Sequence, residues 1–460
     1  TLTTLTTVAG FLGLYLASEM PPFRYLGLFS AIGVVVAWVY SLTLLPAALT
    51  LLKVKSSKAY KVSPQGVVKV DGFGRLMDRL GKKVINHSKL VVFLGISLIL
   101  LGAYGATKVQ VNEDRIDTFY EQEPIHIADK IINSTMDGTN NLDIVIETPN
   151  PEDLFEPANL RKIEALQEYV ETLPTVGGST SVADFIKQMY KSLNNSDEAY
   201  YIIPDNKELI AQLFLLYSAS GEPTDFEEEI DYDYQLANIR VNIDTGLYSE
   251  NKRVIDTVQV YIDENFNEAG VIKATLSGRV NLNYNWVGNI GESHFLSVGI
   301  ALGLVLIMSA LLFRSVIAGV FSLIPVMSSI LIIYAVMGLF DIWLGIGTSM
   351  FASVAIGLGV DFAIHTIDRI KLLFAERSSE SFDETIAKLF PSTGRALLFN
   401  FLAIGLGFGV LMFSDVVPLF RFGAIVLFAI STSFIASMTL LPALIKVTRP
   451  SFIKNMPQKK

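Results

Sequence analysis

Eight stretches of 18 or more mostly apolar residues punctuate the chain, at about residues 1–18, 24–52, 90–107, 295–313, 316–340, 344–370, 396–413 and 419–446. A helix needs about 20 such residues to cross the roughly 30 Å hydrocarbon core of a bilayer, where nothing else can satisfy the backbone. Each stretch therefore reads as a membrane span, and an even number places both termini on one side. The composition agrees: 51% of the 460 residues are hydrophobic and 18% charged, with a mean hydropathy of +0.45. The chain opens at Thr1 inside an apolar run, without Met, a basic segment or a cleavage site. That pattern reads as the interior of a longer protein, not as a signal peptide.

Between the third and fourth spans lies a polar stretch long enough to bury its own core. From Lys108 to Gly291 it holds 33 acidic and 13 basic residues, a net of -20, whereas the whole chain carries -9. The rest is therefore net +11. Of its 23 basic residues, all but Arg24 and Arg421 fall on the side opposite the polar stretch. By the positive-inside rule those 21 face the cytoplasm and the acidic domain lies outside, periplasmic in a double-membraned bacterium and extracellular or lumenal otherwise. Its acidity argues against nucleic acid and weakly favours neutral, zwitterionic or cationic cargo, while a solvated surface that keeps the domain soluble is the plainer reading of the same charge. The chain has no cysteine, which excludes disulfides, thiolate metal sites and cysteine nucleophiles.

Sliding the sequence on itself gives a gap-free match at an offset of 396 that pairs the first two spans with the last two. Leu44-Leu45-Pro46-Ala47 repeats as Leu440-Leu441-Pro442-Ala443, and Ser41, Thr43, Gly13, Ser18, Pro22 and Gly27 match Ser437, Thr439, Gly409, Ser414, Pro418 and Gly423. The expected architecture is two parallel repeats of six spans, twelve in a full protein, of which this chain keeps the end of the first and all of the second. Such repeats place functional groups near their interface at mid-membrane depth.

The segments divide the chain into residues 1–52, the last two helices of the first repeat; 53–89, a basic cytoplasmic linker; and 90–107, the first helix of the second. Residues 108–292 form the extracytoplasmic domain, 293–447 the last five helices, and 448–460 a cytoplasmic tail. In the linker, Phe73, Leu76, Met77, Leu80 and Val84 recur at helical spacing among Arg75, Arg79, Lys82 and Lys83. That pattern suits a helix lying on the anionic inner leaflet or a connector packed on the bundle. In the polar domain, Leu142–Glu147, Leu236–Ile243 and 271–277 read as strands, Pro157–Leu173 and Glu250–Phe266 as helices, and Val182–Ser220 as a helical insertion. The sum is a small α/β layer domain. The run Glu227, Glu228, Glu229, Asp231 and Asp233 reads as a solvated loop, lacking the glycine turn and terminal Glu of an EF-hand.

One polar face interrupts the sixth span. Asp361, His365 and Asp368, spaced by four and three, share a side of the helix. An ionisable group inside a membrane helix costs about 3 kcal/mol or more unless protonated, paired or facing water, so Asp361 is the first candidate for function. His365 could pass protons on. Asp368 reads as an interfacial group or the end of the same path. Gly357 and Gly359 allow a neighbouring helix to approach. Asn400 in the seventh span is a candidate partner for Asp361, and at the repeat offset it corresponds to Thr4, within the hydroxyl-rich row Thr1, Thr3, Thr4, Thr6 and Thr7. These threonines equally well bond back to their own helix. The chain offers no enzyme signature: His126 and His294, read with the polar domain, lie 168 residues apart and no serine nucleophile motif is present.

Gly357-Leu-Gly-Val-Asp361-Phe362, the paired Leu-Leu-Pro-Ala ends, Phe23-Arg24-Tyr25-Leu26-Gly27 and the outside domain after the first span of a repeat together resemble the resistance-nodulation-division superfamily. The branch resembled is that of the mycobacterial membrane protein large transporters and other lipid exporters. The resemblance implies a polytopic helical permease with an α/β porter-like domain outside, energised by the proton motive force with no bound cofactor, and assigns the proton relay to Asp361. It implies lipids, hopanoids or other amphiphiles as cargo. Membrane lipids, accessory periplasmic or membrane proteins and a homo-oligomer stand as further partners. Many members of that branch carry Tyr after the Asp, and Phe362 here has no hydroxyl. A sterol-sensing receptor resembling Patched, and the Sec-associated protein-export branch, are the competing readings.

Overall fold

The computed structural model describes residues 2–18, 20–51, 72–220, 229–266, 272–376 and 381–454. Thr1, most of the linker expected at 53–89, Glu227, Glu228 and the end of the tail lie outside the described residues. The chain divides into two compact units, Thr1–Val111 with Asn289–Lys460, and Asn112–Gly288.

In the first unit the chain opens with α1 (Leu2–Ala17), α2 (Pro21–Leu42), α3 (Leu44–Leu51), α4 (Gly72–Asn86) and α5 (Ser88–Ala106). The second unit contains α6 (Pro124–Thr135), β1 (Asn140–Glu147), α7 (Pro157–Glu171), β2 (Val176–Ser181), α8 (Val182–Leu193) and α9 (Lys207–Ser220), then β3 (Leu236–Ile243), α10 (Tyr248–Asn265) and β4 (Lys273–Ser277). There follow α11 (Gly278–Phe313), α12 (Val316–Leu339), α13 (Phe351–Glu376), α14 (Phe382–Ala387), α15 (Arg395–Gly409), α16 (Val417–Met438) and α17 (Leu440–Thr448).

Among the described residues, seven helical stretches are long and apolar enough to cross a membrane. The protein is a multi-pass helical membrane protein, as the apolar runs require. α1 is shorter, its 16 residues spanning about 24 Å against a hydrocarbon core of about 30 Å. The stretch expected at 396–413 is continued upstream by a π-helical turn, Phe390–Gly394, around Pro391, and ends in a 3-10 turn, Val410–Phe413. α2 and α16 begin and end 396 residues apart, and each breaks at a threonine of closely similar backbone, Thr43 (φ -110, ψ -64) and Thr439 (φ -120, ψ -65). Both threonines bond back to a carbonyl four residues earlier, Val39 at 2.8 Å and Ile435 at 2.7 Å. Local back-bonding of this kind bends a helix without breaking its hydrogen-bond account.

α4, in the basic linker, packs against the membrane unit. Met77, Val84 and Ile85 are buried in the membrane unit, while Phe73 and Leu76, just before Met77 in the chain, are exposed. Lys446 fastens α4 in place by donating to the Ile85 carbonyl at 2.9 Å and to Asp383 at 2.8 Å.

The second unit is a four-stranded antiparallel sheet in the order β2-β3-β1-β4. With α7 after β1 and α10 after β3, this is the split βαβ arrangement of ferredoxin-like domains. Alternation sets the register: Leu142, Ile144 and Ile146 of β1 face Val241, Ile239 and Ala237 of β3, all buried. α7 contributes Leu160, Ile163, Leu166 and Val170 to the same core, and α10 adds Val254, Ile255, Val258 and Ile262. Each such side chain contributes about 1.5–3 kcal/mol by burial. α8 and α9 form the helical insertion between β2 and β3. In the acidic loop Asp231 is spent on a turn, its Oδ1 accepting the N–H groups of Gln235 and Leu236, both at 2.7 Å. Gly278, where β4 meets α11, has φ +79, and a side chain there would strike Asp143 Oδ2 at 2.6 Å. Only glycine allows that junction.

Candidate functional site

Asp361 lies ten residues into α13, about 15 Å from its start. Its neighbour is α1. Thr7 Oγ1 donates to Asp361 Oδ2 at 3.1 Å, across 354 residues of sequence. The other carboxyl oxygen, Oδ1, is inaccessible and has no hydrogen-bond partner among the described residues. A partly buried carboxyl with one oxygen sealed off and unpartnered in this way is costly, and such costs are kept where a group must change its state.

Glycine makes the contact possible. A Cβ on Gly10 of α1 would sit 2.6 Å from the Gly357 Cα, and one on Gly357 would sit 3.0 Å from the Thr7 carbonyl. The helices therefore cross backbone to backbone, one turn from the Thr7–Asp361 bond. Gly359 serves a different neighbour: Ser433 of α16 donates to its carbonyl at 3.1 Å, and a Cβ there would lie 2.7 Å from Ser433 Oγ. Two glycines two positions apart thus bring helices close on two sides of α13. Phe362 is wholly buried, its ring 5.5 Å from Phe434, which in turn stacks on Phe401 at 4.9 Å. The position next to the carboxyl is used for packing.

The remaining sequence candidates lie apart from this contact. His365 and Asp368 follow Asp361 on α13 but are exposed. Asn400 on α15 is exposed as well, and among the described residues no hydrogen bond joins it to Asp361. Thr4 is partly buried on α1; the threonine that reaches the carboxyl is Thr7, three residues on. Only the pairing across helices, invisible in either segment alone, separates these threonines.

A second polar cluster was not foreseen. His294, read from the sequence with the polar domain, lies on α11 within the membrane unit and is 3% exposed. Its Nδ1 lies 2.6 Å from the Ser349 carbonyl and its Nε2 lies 2.7 Å from the Tyr334 hydroxyl. A carbonyl can only accept, so Nδ1 carries the proton and, in the neutral ring, Nε2 accepts from Tyr334. The imidazole thereby joins α11, α12 and the turn before α13. Ser297 Oγ donates to the His294 carbonyl at 2.8 Å, and Ser353 approaches Ser297 at 3.5 Å. Ser349, Ser353, Gly357 and Asp361 recur every four residues, so a row without large apolar side chains runs from this cluster to the carboxyl. The Tyr334 hydroxyl inside an otherwise apolar run was the one available sequence signal.

The chain is similar to several known membrane proteins. It is 24% identical over 375 residues to a membrane protein of Methanocaldococcus jannaschii, covering 80% of this chain and 93% of that one. It is 23% identical over 331 residues to the apo-petrobactin exporter of Bacillus anthracis, covering 67% of this chain and 44% of the exporter. Among solved structures, the hedgehog release protein Disp of the water bear Hypsibius dujardini superposes with a TM-score of 0.63 at 13% identity, over 98% of this chain and 58% of that one. A heavy metal efflux pump superposes with a TM-score of 0.54 at 10% identity, over 98% of this chain and 58% of the pump. These two likenesses speak for the fold alone, and this chain spans little more than half the length of either. Residues 216–460 match the MMPL family, and with more than half of its length inside that match the chain belongs to the MMPL family of membrane transporters.

Proposed function

We propose that the protein is a proton-driven exporter of lipids or other hydrophobic or amphiphilic molecules, with Asp361 as the group that takes up and releases the proton. The observation that carries this reading is the Asp361 carboxyl, held mid-helix on Thr7 at 3.1 Å with its second oxygen unpartnered, beside a glycine crossing. An ionised Asp361 accepts the Thr7 hydroxyl strongly, because charge-assisted hydrogen bonds are about twice as strong as neutral ones. Protonation weakens that hold. Because no side chain separates α1 from α13 at Gly10 and Gly357, a change in one bond is free to shift one helix along the other. Each protonation state then favours its own arrangement of α1 against α13.

In this reading the acidic unit faces the outside, the basic loops face the cytoplasm, and the row from His294 to Asp361 supplies the outer leg of the proton path. The apo-petrobactin exporter among the relatives supports outward movement of a small molecule. The test is proton-dependent export from inverted vesicles or proteoliposomes. Asp361→Asn, which keeps size and hydrogen bonding but cannot ionise, is expected to abolish proton-dependent transport while leaving the protein folded. Transport at wild-type rate in that variant would sink the proposal.

A further inference from the structure

In the acidic stretch from Lys108 to Gly291, 13 basic residues are set among 33 acidic ones. Many basic side chains there are neutralised: Arg161 by Asp205, Lys187 by Glu164, Lys207 by Glu156 and Lys252 by Asp256. Arg115 and Arg279 differ. Among the described residues neither forms an ion pair or donates a hydrogen bond, yet both line one cleft of about 280 Å³. Burial, and then the charge of Arg279, lower the pKa of Arg115 from its ordinary value. Two guanidiniums, each with five N–H donors, thus face the same space.

Two carboxylates, Asp114 and Asp129, also line the cleft, but among the described residues neither forms an ion pair with Arg115 or Arg279, and both bond to neutral groups instead. Asp114 accepts the N–H of Ile116 at 3.2 Å, and Asp129 accepts the Thr139 hydroxyl at 2.6 Å and the Asn133 amide at 2.9 Å. The guanidinium N–H groups are therefore the charged donors left unused in the cleft. Part of its wall is apolar: Phe119, Ile125 and Ile132 line it while 43%, 51% and 37% exposed. The Arg115 guanidinium lies 5.8 Å from the centre of the Trp286 ring, which fixes one side of the pair. Carboxylates of the domain more than about 8 Å from the cleft are largely screened from it at physiological salt.

We propose that this cleft binds the anionic head group of an amphiphile, with phosphate or carboxylate oxygens on Arg115 and Arg279 and the alkyl chain along Phe119, Ile125 and Ile132. The assignment rests on the exporter reading for the fate of the ligand, not for its binding. It also refines the cargo expected from bulk acidity: the local donors select an anion in an otherwise acidic domain.

The test titrates the full chain, in nanodiscs of zwitterionic lipid, with hexyl phosphate, inorganic phosphate and hexanol by calorimetry, subtracting empty nanodiscs. Hexyl phosphate is expected to bind about tenfold or more tighter than either fragment, since it alone uses both the guanidiniums and the apolar wall. Arg115→Gln and Arg279→Gln should each weaken it about tenfold, and Ile125→Ser should reduce only the advantage of hexyl phosphate over inorganic phosphate. Arg279 is exposed, so its variant tests the site without threatening the fold. Unchanged affinity in both arginine variants would overturn the site. Inorganic phosphate binding as tightly as hexyl phosphate would overturn the amphiphile. Asp361→Asn is expected to leave hexyl phosphate binding intact, so a failed proton coupling and a failed ligand site give different results.

Discussion

Replacing Gly10 by alanine tests how the carboxyl is held. The added methyl carbon would sit 2.6 Å from the Gly357 Cα and 2.8 Å from its nitrogen, both backbone atoms that cannot rotate away. Ordinary carbon contacts lie at about 3.5–4.0 Å, so α1 and α13 must part locally by about 1 Å. Thr7 is less than one turn away, and the same displacement stretches its 3.1 Å bond to Asp361 to about 4 Å, where it no longer counts as one. Overpacking costs about 1–3 kcal/mol, and losing a hydrogen bond to a charged group about 1.5–3. The better helix propensity of alanine returns about 1. The net expected loss is about 1.5–5 kcal/mol. Gly299, with nothing within 4 Å of its would-be Cβ, is the control, and there alanine should be neutral or stabilise by up to about 1 kcal/mol. Unfolding in mixed micelles titrated with a denaturing detergent measures both, and a double-mutant cycle with Thr7→Val assigns the cause. The Thr7→Val penalty should be full in the wild type and close to zero in Gly10→Ala. A Gly10→Ala protein as stable as Gly299→Ala, or an equal Thr7→Val penalty in both backgrounds, refutes the account.

Tyr334→Phe strips the buried Nε2 of His294 of its partner and should cost about 1–3 kcal/mol; with only four histidines in the chain, nitrogen NMR resolves the ring, and a proton on Nε2 in the wild type would contradict the geometry. Asp114 has its pKa raised above 3.8, chiefly by burial, with the Ile116 N–H opposing and Asp117 and Asp129 adding to the rise. Its native state binds a proton more readily than the unfolded chain, so the wild type should gain stability relative to Asp114→Asn as pH falls through the raised pKa, and stability curves that stay parallel across that range would show otherwise. The pKa of Lys187 is raised: burial opposes this, but Glu164 at 3.0 Å and Asp184 at 3.4 Å outweigh it. Lys187→Met should cost about 1–2 kcal/mol, reduced from the value of a fully buried pair because both carboxylates are partly exposed. That difference is complete below the unfolded pKa of about 10.5 and should vanish as pH rises through the higher folded value.

The sequence by itself determined the class of the protein. Runs of apolar residues answer to a solvent that cannot bond the backbone, so the membrane helices were written in composition alone. β1 and β3 were equally plain, because alternating Leu142, Ile144 and Ile146, and Ala237, Ile239, Val241 and Ile243, state which face meets the core. β2 was not. Its Val-Gly-Gly-Ser-Thr-Ser carries no alternation, and it is a strand only because β3 offers it an edge, through a bulge at Val176 to Gly178. Asp361 stood out because a carboxyl in such a helix is expensive wherever it points. What it touches was decided by tertiary structure: Thr7 and not Thr4 or Asn400, Gly357 toward α1 and Gly359 toward α16, and a histidine from the edge of α11 buried against Tyr334. Periodicity records which medium each face of an element meets, an average over many residues. Partners across helices depend on tenths of an ångström between backbones hundreds of residues apart, and no local pattern encodes that distance.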